Sequence, residues 1–117
     1  MKLNSIFERA ARLCGMAESY YKNNDSSELS ARALTAINTT LFDLCEEPEH
    51  ESLLDESSVS APVFDAAIYG TAMYLSLAFG DTDKASFFSK IYSDKRTNIK
   101  SSSAKIKDLL PKTEANI

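Results

Sequence analysis

Glycine and proline are scarce, with three of each in 117 residues, and tryptophan is absent. Sandwiches and barrels need many turns, so this scarcity argues against an all-β fold. Histidine occurs once, as His50, and cysteine twice, as Cys14 and Cys45. There is no CxxC pair, no HExxH helix, no Gly-rich phosphate loop and no GxSxG elbow, so the chemistry those spacings support has no foothold. The acidic residues do not follow the D-x-D-x-D-G order of a calcium loop. His50 stands in an acidic stretch and reads as solvated, not as a metal ligand or base. The expectation is a protein without catalytic residues, metal or cofactor. The opening MKLNSIFERAARLC has no apolar h-region and is broken by Glu8, Arg9 and Arg12, so it does not read as a signal peptide. An intracellular setting follows as the expectation, with Cys14 and Cys45 as reduced thiols buried on apolar helix faces.

What the chain does contain favours helix. Alanine, leucine, serine, glutamate and lysine dominate. Charged residues make up 26% and hydrophobic residues 44%, ordinary values for one globular domain of this length. Four main helices are expected. The first starts near Ser5, where Ser5 and Glu8 have capping-box spacing, and ends at Cys14 before Gly15. Leu3, Ile6, Phe7, Ala10, Leu13, Cys14 and Ala17 form its apolar face. A polar loop, ESYYKNNDSS, leads to a second helix over roughly Ser27 to Glu46, opened by Asp25 and Glu28 and closed ahead of Pro48. Its stripe reads Ser30, Leu34, Ile37, Leu41, Leu44 and Cys45. The third begins at Ser60 or Ala61, with Pro62 in its first turn, and ends at Gly80. Asp81, Thr82 and Asp83 then cap a fourth, whose stripe of Phe88, Ile91, Tyr92 and Ile99 continues in phase to Ile106 and Leu109 before Pro111. It reads as one rod from about Asp83 to Leu109, unless Ser101–Ser103 breaks it. The Gly80–Asp81 turn folds the third and fourth helices into an antiparallel hairpin, and the whole makes a small all-α bundle. Residues 1–100 form the domain. Residues 101–117 extend the last helix or form a flexible tail.

From Ala66 through Gly80, AAIYGTAMYLSLAFG, there is no charge. Fifteen helical residues span about 22 Å, short of the roughly 30 Å of a bilayer core, and Asp65 and Asp81 bracket the run. It reads as a helix enclosed by neighbours, not as a membrane span. Four helices of this size would struggle to surround it, so another subunit is expected to cover part of its surface. Net charge is -4 but unevenly spread. Glu46, Glu47, Glu49, Glu51, Asp55 and Glu56 crowd the long connection between the second and third helices, a loop whose length points to function or mobility. Eight basic residues lie between Lys84 and Lys112, opposed only by Asp94 and Asp108. Such asymmetry suggests interaction surfaces.

The order of these segments, LFDLCEE, an acidic connection, AAIYGTAMYLSLAFGD and then ASFFSKIYSDKR, resembles the small head–tail connector (head-completion) proteins of tailed bacteriophages and prophages. The Tyr69–Gly70 pair, the Gly80–Asp81 turn and Tyr92 with Lys95 and Arg96 carry the likeness, which covers about Ser5 to Lys100. The resemblance implies a structural virion protein, present in the host cytoplasm before assembly. It would form a homo-oligomeric ring with the portal on one side and tail or stopper proteins on the other. DNA would pass through that ring without sequence-specific binding. A lumen should repel phosphates, which makes Glu46, Glu47, Glu49, Glu51, Asp55 and Glu56 the candidate lumen lining. Lys90, Lys95, Arg96 and Lys100 make the candidate partner-facing basic surface. The alternatives are a small cytoplasmic helical adaptor or regulator with a protein partner and, less favoured by the net negative charge, a nucleic-acid-binding helical domain.

Overall fold

A computed structural model describes residues 1–22 and 27–109. These residues form α1 (Leu3–Leu13), α2 (Glu18–Lys22), α3 (Ser27–Cys45), α4 (Ala61–Ala78) and α5 (Thr82–Leu109). The bundle is all-α, with five helices where four were expected. The extra one, α2, lies in the stretch read as a polar loop. It forms because Tyr21 is an anchor: it is 5% exposed, its ring meets Phe7 edge-on, and its hydroxyl accepts a hydrogen bond from Arg12 Nε at 3.2 Å. The expected Asp25 start of α3 and the Leu110–Pro111 stop lie outside the described residues.

The uncharged segment forms the central helix. α4 packs against α1, α3 and α5, and Ala66, Ala67 and Ala72 are fully buried. Small residues here let the backbones approach. At Gly70 the approach is closest, since an added Cβ would lie 2.6 Å from Thr40 Cγ2 and 2.9 Å from Tyr92 Cε1. Bulk comes from Leu3, Ile6 and Phe7 of α1, Ile37 and Leu41 of α3, and Leu75 of α4, all nearly or fully buried. Each such side chain contributes about 1.5–3 kcal/mol by leaving water. No helix among the described residues is long and apolar enough to cross a membrane.

α1 begins three residues earlier than its capping-box spacing predicts. Its N-cap is Lys2, with no side-chain cap, because backbone carbonyls from the long connection take that role. Leu3 N–H donates to Asp55 O and Asn4 N–H to Leu53 O, both at 2.9 Å. Glu8 instead accepts from Asn4 Nδ2. The buried face of α3 also differs from its predicted stripe. Ala33, Ala36 and Thr40 are buried alongside Leu29, Ile37, Leu41 and Leu44, while Cys45, one step round from Leu44, is exposed. The α4–α5 hairpin forms as expected. Gly80 takes φ 76°, a conformation costly to residues with a Cβ, and Asp81 Oδ1 caps Lys84 N–H at 3.1 Å. α5 continues through Ser101–Ser103 to Leu109.

Candidate interaction surfaces

The basic residues of α5 divide into two kinds. Lys95 and Arg96 are committed within the chain. Lys95 Nζ meets Asp65 Oδ2 at 2.5 Å and lies 5.2 Å from the centre of the Tyr69 ring. Its hydrogen bond to Asp65 holds the ammonium pKa above the ordinary lysine value. Arg96 Nε donates to Asp43 Oδ2 at 2.7 Å, and Tyr92 Oη donates to the same oxygen. Burial alone would raise the Asp43 pKa. The hydrogen bonds from Arg96 and Tyr92, with the charges of Arg96 and Lys100, outweigh it and hold the carboxyl below its ordinary range. Burial, then the bond to Asp43, pushes the Tyr92 phenol well up. These contacts fix the register of α5 on α3 and α4, leaving Lys90 and Lys100 exposed. Of the four basic residues expected to face a partner, two therefore already have acidic partners in their own fold.

The acidic connection is divided in the same way. Glu46, Glu49, Glu51 and Glu56 are exposed, whereas Glu47 and Asp55 are half-buried. His50, expected to be solvated, has a side chain only 17% exposed. One ring nitrogen lies 2.6 Å from Glu47 Oε2 and the other 3.6 Å from Asp55 Oδ2. Ser57 Oγ lies 2.8 Å from each Glu47 carboxylate oxygen. The backbone of His50 is gripped on both sides by Asn38 of α3: Nδ2 donates to His50 O and Oδ1 accepts from His50 N–H, each at 2.9 Å. The long connection is thus tied to α3 by Asn38 and to α1 by residues 53–57. No signal in the sequence marks Asn38, a residue of ordinary helix propensity in the middle of a helix. Among the described residues no cluster of three or more His, Cys, Asp or Glu side chains could hold a metal ion.

Cys14 is half-buried, with Sγ 3.5 Å from Ala72 O and from Ser76 Oγ. Burial raises its pKa, which keeps the thiol protonated and unreactive. Cys45 Sγ donates to Leu41 O at 3.3 Å, within its own helix, and burial likewise raises its pKa.

Among the described residues, one face of α4 is left uncovered. α3 and α5 both run antiparallel to α4 and pinch Gly70 between Thr40 and Tyr92. Toward the α4 C-terminus the same face is open: Tyr74 is 37% exposed and Leu77 53%. Two grooves flank it. One, about 470 Å³, has Ala31, Thr35 and Thr39 of α3 as its wall and Tyr74 at its floor. The other, about 560 Å³, has Ser86, Ser89 and Ser93 of α5 as its wall and Leu77 at its floor. Residues three apart share a helix face, so the grooves are two sides of one trough. The sequence reading expected α4 to be incompletely covered but did not place the gap.

No family model matches this chain, and searches of curated proteins and of solved structures find no similar protein.

Proposed function

We propose that the protein is a structural assembly subunit of the head–tail connector kind, one copy among several in a ring joining a portal to a tail. The observation that carries this reading is the open apolar face of α4. Exposed apolar side chains grouped on one helix face suit an interaction site, and this face lies on the very helix on which the resemblance rests. The exposed part of the acidic connection suits a lumen that DNA slides past. On this reading Glu46, Glu49, Glu51 and Glu56 face the passage, while Glu47 and Asp55 hold the loop in shape. Lys90 and Lys100 are the cations left to meet a portal or tail protein.

Two tests bear on it. A portal or capsid gene beside this one, with ring particles in negative stain when the two proteins are mixed, is the expected result; neither gene nor particle would overturn the reading in favour of a helical adaptor. Lysine at Glu46, Glu49, Glu51 and Glu56 should impair packaging or ejection of DNA, and normal phage yield would remove the lumen assignment. Salt-dependent retention of the wild-type chain on DNA would instead favour a nucleic-acid-binding domain.

A further inference from the structure

Two arginines of α1 are left without acidic partners. Arg9 and Arg12 lie one turn apart and both are exposed. Arg9 sets its guanidinium over the Phe64 ring, 5.4 Å from the centroid, and Arg12 gives its Nε hydrogen to Tyr21. Among the described residues neither has a carboxylate at ion-pair distance; Glu8 and Glu18 act on Arg12 from further off. With Leu13, Ile68 and Tyr69 the two arginines line a cleft of about 310 Å³ between α1 and α4. The acid in that lining, Asp65, is already taken by Lys95. The cleft thus combines apolar walls with two unspent cations. The complementary surface is in the long connection. Leu54 is 73% exposed, at a turn closed by Asp55 N–H on Ser52 O and by Leu54 N–H on Ser52 Oγ, each at 3.1 Å. Glu51 and Glu56 flank it and are exposed. We infer that this acidic leucine turn of one copy docks in the Arg9–Arg12 cleft of a second copy.

Charge and size select the occupant. An arginine fork takes a carboxylate through two parallel hydrogen bonds, and the turn carries two exposed carboxylates beside an apolar tip. Asp55 is spent inside its own fold, on His50. A cleft of this size suits a turn tip, not a helix about 10 Å across. The turn is already closed in the free chain, so docking has little left to order. The turn does not serve the cleft of its own chain. Leu53 O and Asp55 O are bonded to Asn4 N–H and Leu3 N–H in the first turn of α1. Arg9 and Arg12 lie about 7–14 Å further along that helix, and Leu54 remains largely in solvent. Giving and receiving surfaces differ, so the contact is heterologous and propagates from copy to copy until a ring closes. At such a boundary Glu51 and Glu56 meet arginine, which leaves Glu46 and Glu49 to the passage. One turn tip buries far less than the roughly 800 Å² per partner of a standard stable interface. Association of the free protein is accordingly weak and strongly concentration-dependent.

The contact deepens the assembly reading, on which its closure into a ring rests, yet it is tested on the purified chain alone. Sedimentation velocity of the full chain up to about 1 mM, a concentration that populates contacts of millimolar Kd, should show reversible growth beyond the 12.9 kDa monomer. Raising the ionic strength from about 0.01 M to about 1 M shortens the screening length from about 30 Å to about 3 Å and should weaken the association at least tenfold. Leu54→Lys, which puts a cation on the tip, should abolish growth. Arg9→Gln combined with Arg12→Gln should do the same; Leu13→Glu, which keeps both arginines and adds a carboxylate to the cleft, checks that double variant. Circular dichroism should report an unchanged fold in each case. The decisive arm mixes Leu54→Lys, with its cleft intact, and the double glutamine variant, with its turn intact. The mixture should give a one-to-one dimer and nothing larger. Wild-type chain that stays monomeric at low salt overturns the inference. So does growth that is indifferent to salt, growth that survives the variants, or a mixture that stays monomeric. The portal experiment stands or falls separately, so the two failures are distinguishable.

Discussion

A methyl group added at Gly70 would lie 2.6 Å from Thr40 Cγ2, 3.0 Å from Thr40 Oγ1 and 2.9 Å from Tyr92 Cε1. Comfortable carbon–carbon contact is about 3.5–4.0 Å, so the closest of these is about 1 Å too short. Neither neighbour can yield easily. Thr40 is fully buried, and its hydroxyl donates to Ala36 O at 2.7 Å. The Tyr92 ring is held through its hydroxyl by Asp43. Helix propensity alone favours Gly70→Ala by about 1 kcal/mol. Overpacking costs about 1–3 kcal/mol, and displacing either side chain weakens a hydrogen bond of about 1 kcal/mol. The net expectation is a loss of about 2 kcal/mol, read as a lowered midpoint in urea unfolding followed by circular dichroism. Thr40→Ala removes two of the three short contacts. In that background Gly70→Ala should cost at least about 1 kcal/mol less, a coupling well above the roughly 0.3–0.5 kcal/mol scatter of independent sites. A Gly70→Ala protein as stable as the wild type, or additive effects in the double variant, would refute the close-approach reasoning.

Other outcomes follow from single contacts. Thr71 is fully buried, and its hydroxyl is without a hydrogen-bond partner among the described residues; Thr71→Val should raise stability by about 1 kcal/mol in the same assay, since the unpaired group is removed at nearly constant shape. The Asp43 carboxyl has a lowered pKa in the fold, so its contribution is present above the unfolded value near 3.8 and fades as pH falls through the folded value; Asp43→Asn should flatten the acid limb of the stability profile over that range. The Tyr92 phenol has a raised pKa, so its contribution holds below the unfolded value of 10.0 and is lost as pH rises above it. Tyr92→Phe should remove that alkaline limb and the latest phase of a tyrosine absorbance titration. Asn38→Ala should speed hydrogen exchange at the His50 amide by tenfold or more, because that amide loses its acceptor, while the α4 amides stay protected.

The elements legible in the sequence were those fixed by local rules. The uncharged run marked α4, with small residues at the close approaches and bracketing aspartates at the ends. Gly80 and Asp81 marked a turn that needs a positive φ and a cap. The features hidden from it depend on residues distant in sequence. The α1 start is capped by carbonyls some fifty residues later, which overrides a capping-box spacing local to Ser5 and Glu8. The α2 turn depends on a tyrosine whose hydroxyl finds Arg12. The buried face of α3 turns on Ala33, Ala36 and Thr40, side chains too small or polar to register as a stripe. Lys95 and Arg96 look like free cations in sequence because Asp65 and Asp43 lie thirty and fifty-three residues away. A charge run read along the chain cannot tell a solvent-facing group from one already paired.

The bonds from the α1 amides to Leu53 and Asp55 also set an order of events during synthesis. Residues 3 and 4 leave the ribosome about fifty residues ahead of their acceptors. Closing that span orders a long loop before the contact gives anything back. The α4–α5 hairpin closes through a turn of three residues and meets no such delay. Helix α1 is therefore made well before the carbonyls that cap it, and until they arrive its apolar face waits in the nascent chain for a core that does not yet exist.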